Sequence, residues 1–218
     1  MIRPFGLQEF LFLLESAGWT LLLTVIASML GGVLALVLSI ARVSDRWIFR
    51  EAARVYIAAI QGIPVLMVLF LSYYGLAQAG FDLPPIIAAS VALSIYASAY
   101  LGDIWRGAIQ SVHKQQWEAS ASLALTRMQQ YRYVILPQSV KIALPPTVGF
   151  LVQLVKNTSI VSIVSVIELT RAGQLVNNVT FEPFLVFMIV ALLYLAICYP
   201  MSRVSRYLEG KSRVYRDS

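Results

Sequence analysis

Residues 17–40 read AGWTLLLTVIASMLGGVLALVLSI, without one ionisable side chain. As a helix rising 1.5 Å per residue, such a run crosses the ~30 Å hydrocarbon core of a bilayer. It is too long for the roughly 7–15-residue apolar region of a secretory signal. The residues before it, Met1–Ser16, set Arg3 against Glu9 and Glu15 rather than presenting a basic leader. The run therefore reads as a retained first span. Lipid has no groups to satisfy backbone N–H and C=O, so a span must be a helix or part of a closed barrel, and the alternating ten-residue strand pattern of a barrel is absent.

Four further stretches of the same kind follow: Arg54–Ala79, Pro84–Ile109, Ile142–Ile167 and Phe184–Val204. The whole chain agrees with them. Of 218 residues, 59% are hydrophobic and 13% charged, with a mean hydropathy of +0.74. A soluble domain carries about 25% charge, so this chain lacks the charge to coat a water-facing surface. Disorder, a disulfide scaffold and a soluble two-domain enzyme are excluded. The expected fold is an all-α integral membrane protein, one transmembrane domain over residues 1–218 with five transmembrane helices. Pro64 should kink the second span, taken as a single crossing, and Pro145-Pro146 should open the fourth.

The few charges orient the spans. The first loop holds Arg42, Arg46, Arg50 and Arg54; the third holds Arg106, Lys114, Arg127, Arg132 and Lys141; the tail holds Arg203, Arg206, Lys211, Arg213 and Arg216. With five spans these regions share a side, and the positive-inside rule makes that side the cytoplasm. Arg3 and Arg171 fall on the other, so the N-terminus is expected outside and the C-terminus inside. The net charge of +6 is then an orientation signal rather than a sign of nucleic-acid binding.

The longest polar stretch is the cytoplasmic loop 110–141. Within it Gln116–Gln129 reads as a helix, since Trp117, Ala121, Ala124, Leu125 and Met128 share one face of a 3.6-residue period. Glu118 lies near its start and Arg127 near its end, as the helix dipole favours. Such a helix either rests on lipid headgroups or is presented to a cytosolic partner.

Here the residues resemble a family. Trp117-Glu118-Ala119-Ser120, then Ala124, then Val134-Ile135-Leu136-Pro137, is similar in spacing to the Glu-Ala-Ala loop of permease subunits from binding-protein-dependent ABC importers. Ser120 replaces the family's second alanine, and Ala124 its glycine, so the tight turn that glycine allows must be made otherwise or be less sharp. Gln61-Gly62-Ile63-Pro64, Tyr73-Tyr74-Gly75-Leu76, Ala99-Tyr100 with Asp103 and Arg106-Gly107, Leu136-Pro137-Gln138, and Lys156-Asn157-Thr158-Ser159 followed by Glu168-Leu169 resemble the polar amino-acid branch. Gln61, Asp103 and Asn157 depart from that branch's Arg, Glu and Asp.

The resemblance implies a subunit of the bacterial cell (inner) membrane that moves a polar or charged amino acid inward. It implies a cytoplasmic coupling helix between spans 3 and 4, gripping a separate ATPase subunit with Trp117, Glu118, Ala119, Ala121, Ala124, Leu125 and Arg127. A pair of ATP-binding subunits holding ATP and magnesium, a second permease subunit (identical or not) and an extracytoplasmic amino-acid-binding protein would complete the machine. The chain itself would carry no cofactor and catalyse no reaction.

Lys156, Asn157, Thr158 and Ser159 form a polar belt in the fourth span, where an ionisable group is costly unless it faces protein or water. The belt either glues helices together or lines the translocation route with Gln61. Glu168, at the outer end, is a candidate latch for the binding protein, and Asp103 should pair with Arg106. His113 has no partner for a metal site, and Cys198 reads as a small buried hydrophobe. Gly210-Lys211-Ser212 lacks the upstream glycine and strand of a phosphate loop, and Asn157-Thr158-Ser159 and Asn178-Val179-Thr180 match a glycosylation triplet only by composition. A self-sufficient secondary transporter or channel is the rival reading, against which stands the absence of an internal repeat; a membrane scaffold would have no use for the Lys156 belt.

Overall fold

A computed structural model describes residues 4–214, with side chains as far as Lys211. Arg3, Arg216 and the side chain of Arg213, all counted above, lie outside the described residues. The described chain is helical and has no strand. We number its helices α1 (Leu7–Val43), α2 (Trp47–Gly62), α3 (Val65–Gln78), α4 (Pro85–Gln110), α5 (Lys114–Ser122), α6 (Arg127–Val164), α7 (Leu169–Thr180) and α8 (Pro183–Val214). Four of them, α1, α4, α6 and α8, are each long and apolar enough to cross a membrane, and α2 with α3 forms a bent fifth candidate.

That bent pair departs from the expected single kinked span. The axes of α2 and α3 differ by 106°. Pro64 has no N–H and forces the residue before it out of the helical region. Ile63 is accordingly extended (φ −115°, ψ 147°), so the helix breaks and restarts rather than bending. The ends of the first span also differ from the apolar run: helix continues from Leu7 to Val43, well beyond 17–40. Pro145 and Pro146 stand inside α6 rather than at its start, more than two turns after Leu136. The last turns of α6, Thr158–Val164, tighten to a 3₁₀ helix.

Small residues bring α1 and α4 together. Ala27, Ala35 and Ala97 are fully buried, and a Cβ on Gly31 would lie 2.7 Å from both the Ser94 carbonyl oxygen and the Ala97 methyl. Gly102 returns the fit, its missing Cβ position 3.2 Å from that of Leu38. Such interfaces replace the hydrophobic drive that lipid removes with close van der Waals packing. Because Gly31 meets Ser94–Ser98 while Ala35 and Leu38 meet Gly102, the two helices run in the same direction. The α2–α3 pair therefore joins the end of α1 to the far end of α4, held to α4 by Tyr56 Oη and Ser98 Oγ at 2.8 Å and by buried Val68 and Leu69.

Helix α6 runs antiparallel to α4. Trp105 Nε1 donates to Thr147 Oγ1 at 3.0 Å, and Tyr100 stacks on Phe150 at 5.5 Å between ring centres. Helix α8 runs back along α6, with Ser205 Oγ donating to the Pro145 carbonyl at 2.9 Å and Cys198 packed on Val152 and Val155 as a small hydrophobe. One end of the molecule thus collects the close of α1, the close of α4, all of α5, the start of α6 and the close of α8. Arg42, Arg106, Lys114, Arg127, Arg203 and Arg206 stand there together. At the opposite end α7 and α8 enclose a second core with α1, built on Leu13, Leu169, Val176 and Val186.

Candidate functional site

The loop at the basic end is where the structure first revises the sequence. Instead of one helix over 116–129, α5 stops at Ser122 and α6 starts anew at Arg127. Ala124 adopts the left-handed conformation (φ 56°). Its N–H donates to the Ala121 carbonyl at 2.9 Å and that of Leu125 to Ser120 at 3.3 Å. These two bonds with a left-handed residue between them are the usual glycine-dependent helix stop. The sharp turn is kept although glycine is absent, and Ala124 carries the roughly 1–2 kcal/mol steric cost of that backbone. Thr126 then caps α6 in a reciprocal box with Gln129, whose Oε1 accepts from the Thr126 N–H at 2.9 Å.

The break redistributes the expected grip. Trp117 turns inward, its ring edge-on to Tyr131 at 5.1 Å beside Ile109, Val112 and Ile135, and Ser120 is buried beneath it. Leu125 is half-buried in the turn. The outward edge of α5 is Glu118, Ala119, Ala121 and Ser122. Beyond it Leu123, 75% exposed, is the apolar tip that the helical period had placed on the other face. Glu118 pairs with Lys114 one turn back at 3.0 Å, both in solvent. Arg127 lies outside α5 altogether and is hydrogen-bonded to Asp45 in the α1–α2 connection; the Arg127 guanidinium holds the Asp45 carboxyl below the ordinary carboxylate range. Asp45 and Leu123 escaped sequence reading because each depends on the left-handed turn that swings the chain back over the end of α1.

The membrane-depth belt is also divided. Successive residues of a helix point about 100° apart, so four in a row cannot face one way. Asn157 and Thr158 are buried against the bundle, Thr158 donating to the Val155 carbonyl at 2.7 Å. Lys156 points outward and, among the described residues, makes no ion pair. Its face of α6 continues through Pro146, Gly149 and Gln153, all exposed. Gln153 Nε2 donates to Asn157 Oδ1 at 3.2 Å, joining the two faces. Ser159 is half-buried and donates to the Lys156 carbonyl at 2.7 Å. Gln61, half-buried, ends α2 just before the break at Pro64.

Glu168 is not an exposed latch. It is fully buried and caps α7, accepting from the Thr170 and Arg171 N–H groups at 2.9 and 2.8 Å and from Tyr194 Oη at 2.9 Å. Burial pushes its carboxyl above the ordinary range, against the pull of those donors. Thr20 of α1 completes the knot by accepting from the Leu169 N–H at 3.1 Å. The sequence signal for α7 was present but unread: an acidic cap followed by Leu169, Ala172, Val176 and Thr180 at helical spacing. Asp103 does pair with Arg106, at 2.8 Å.

With this geometry in hand, comparison with known proteins gives one answer. Residues 27–214 match the family described as binding-protein-dependent transport system inner membrane component. The chain is 35% identical over 210 residues to a probable amino-acid ABC transporter permease of Bacillus subtilis, covering 96% of this chain and 93% of that one. It is also 35% identical to the glutamine transport system permease GlnP of Escherichia coli, covering 93% of each. A crystal structure of an amino acid ABC transporter with histidines superposes with a TM-score of 0.88 at 32% identity, over 94% of this chain and 95% of that one. The MetNI methionine transporter shares the fold, with a TM-score of 0.73 at 18% identity. The chain belongs to the binding-protein-dependent inner-membrane transport components, as a multi-pass permease subunit of the amino-acid ABC importers.

Proposed function

We propose that this subunit imports a polar or charged amino acid by coupling the outward edge of α5 to a separate ATPase pair that holds ATP and magnesium. The observation that carries the reading is continuity: α6 starts beside the loop, is braced to α5 through Trp117 and Tyr131, and reaches Lys156 without leaving the helix. The edge Glu118–Leu123 offers the ATPase charge and an apolar tip on a short, closed helix. The break in α2–α3 lies between helices of the same direction, α1 and α4, and this supports five crossings. The gathering of bases at one end supports a cytoplasmic C-terminus and an outer N-terminus.

The exposed face through Gly149, Gln153 and Lys156 would be costly against lipid. It suits a second permease subunit, identical or similar, with the translocation route between them and Gln61 near the broken span. On the outer side, exposed Phe81 and Phe181 take the docking role that buried Glu168 cannot. Glu118→Lys tests the coupling. Glu118 is in solvent and supports no core, so the variant complex should assemble in proteoliposomes and lose ATP-driven uptake, while its ATPase ceases to respond to the loaded binding protein. Normal uptake by that variant would refute the assignment; uptake by the chain alone, without ATP, would favour a secondary transporter.

A further inference from the structure

At the basic end a cleft of about 700 Å³ opens between α1 and α6, with α4 as its floor. Its walls are Leu36, Ile40, Val140 and Leu144, and its floor is Trp105 and Ile109. All belong to helices long and apolar enough to span the membrane. The cleft continues into a polar hollow of about 280 Å³ that contains Arg42 and Arg50 and shares Val43, Ser44, Asp45, Ile109 and Tyr131 with it.

The charges at this mouth are unbalanced. Arg42 Nε is buried without a hydrogen-bond partner. The acids nearest Arg42 are already taken, Asp103 by Arg106 at 2.8 Å and Glu51 by Arg54 at 3.6 Å. Asp45 is taken by Arg127. Arg50 donates to the Ser44 carbonyl at 3.4 Å and, among the described residues, forms no ion pair with the Asp45 carboxylate nearby. Among the described residues, two guanidinium groups therefore stand without an ion pair of their own, the nearby carboxylates being held by other bases, where an apolar cleft meets the aromatics Trp117 and Tyr131.

We propose that this is a site for one anionic phospholipid, its phosphate between Arg42 and Arg50 and an acyl chain in the cleft. Guanidinium groups bind phosphate oxygens through paired N–H donors, and basic pockets between spanning helices select anionic headgroups. The dimensions disfavour a helix from a second copy: at 10–12 Å across, it would fill the cleft in little more than one turn. A free amino acid would find no carboxylate for its ammonium group, since Asp45 is engaged.

The test is native mass spectrometry of the purified, delipidated transporter complex titrated with phosphatidylglycerol or phosphatidylcholine. A base near an anionic headgroup is worth about fivefold in binding, so phosphatidylglycerol should bind the wild type about 30-fold more tightly than phosphatidylcholine. Arg50→Gln should lower that preference about fivefold, Arg42→Gln likewise, and the double variant should abolish it. Ala143→Phe, which fills the cleft, should weaken both lipids. Equal binding of the two lipids by the wild type, or an unchanged preference in the double variant, overturns the proposal. So does phosphatidylglycerol binding that is indifferent to Ala143→Phe, the result expected if a second copy covers the cleft. Arg50 lies on the exposed start of α2, so Arg50→Gln remains informative if Arg42→Gln assembles poorly. Because transport is not the readout, the lipid site can fail while the coupling assignment stands, and the reverse.

Discussion

Gly31 and Gly32 are neighbours in α1, and one added methyl should act on them in opposite senses. At Gly31 the methyl carbon would sit 2.7 Å from the Ser94 carbonyl oxygen and from Ala97 Cβ, where ordinary contact begins at 3.4 Å. Helices α1 and α4 would have to separate by about 0.7 Å, and neither obstacle has a rotamer to escape into. Overpacking of this kind costs about 1–3 kcal/mol, and two rigid contacts put it in the upper half. Alanine returns about 1 kcal/mol in helix propensity, leaving Gly31→Ala destabilised by about 1–2 kcal/mol. At Gly32 the nearest atom is Trp105 Cη2 at 3.7 Å, an ordinary contact, so the propensity gain survives. The neighbours should differ by about 2–3 kcal/mol. At about 2–4 °C per kcal/mol for a chain of this size, their melting points should stand about 4–12 °C apart, measured on the purified complex by size-exclusion survival after heating. Gly18→Ala, with nothing within 4 Å, is the second control. Gly31→Ala melting at or above Gly32→Ala would refute the close α1–α4 contact.

Three further perturbations follow from the loop and the Glu168 knot. Ala124→Gly should relieve about 1 kcal/mol of left-handed strain, partly offset by glycine's greater freedom in the unfolded chain, whereas Ala124→Val should lower the melting point of the complex. Removing the half-buried ring in Trp117→Ala should cost about 1–3 kcal/mol and raise protease cleavage at residues 123–126; unchanged cleavage would mean that Trp117 does not brace the loop. Glu168, whose carboxyl is raised by burial, contributes most stability when neutral, at low pH, and that contribution is lost as pH rises through its raised range. Glu168→Gln cannot ionise, so the difference in thermal stability between it and the wild type should move in favour of glutamine between pH 4 and 8. A constant difference across that range would show that Glu168 does not titrate there.

Apolar length made most of the helix layout legible, because the bilayer sets it. The break at Pro64 was visible as a position but not as an angle: a proline marks where a hydrogen bond is missing, while the neighbours decide whether the chain bends or restarts. Helix α7 was hidden for another reason. It is short and polar outside, and its cap is satisfied only when Tyr194 and Thr20 arrive from distant segments. In the loop, periodicity selected Trp117, Ala121 and Leu125 as one face, but a period holds only while the helix does, and Ala124 ends it. Ala124 itself could be singled out from sequence, since glycine is usual there. That alanine would take the glycine conformation could not.

The single helix from Arg127 to Val164 gives the loop a reach that neither end has alone. Lys156 stands about 43 Å along it from Arg127 at 1.5 Å per residue. Pivoted at the loop, such a rod moves Lys156 sideways by about 0.75 Å for each degree of tilt. Four degrees would carry its ammonium group about one hydrogen-bond length, enough to exchange one set of partners for another. At the wide turn Gln130–Ile135, Pro137 withholds its N–H from the preceding turn, which leaves the helix with fewer backbone bonds near the pivot. Stiffness there, rather than strength of grip at α5, would then set how much of each stroke arrives in the membrane.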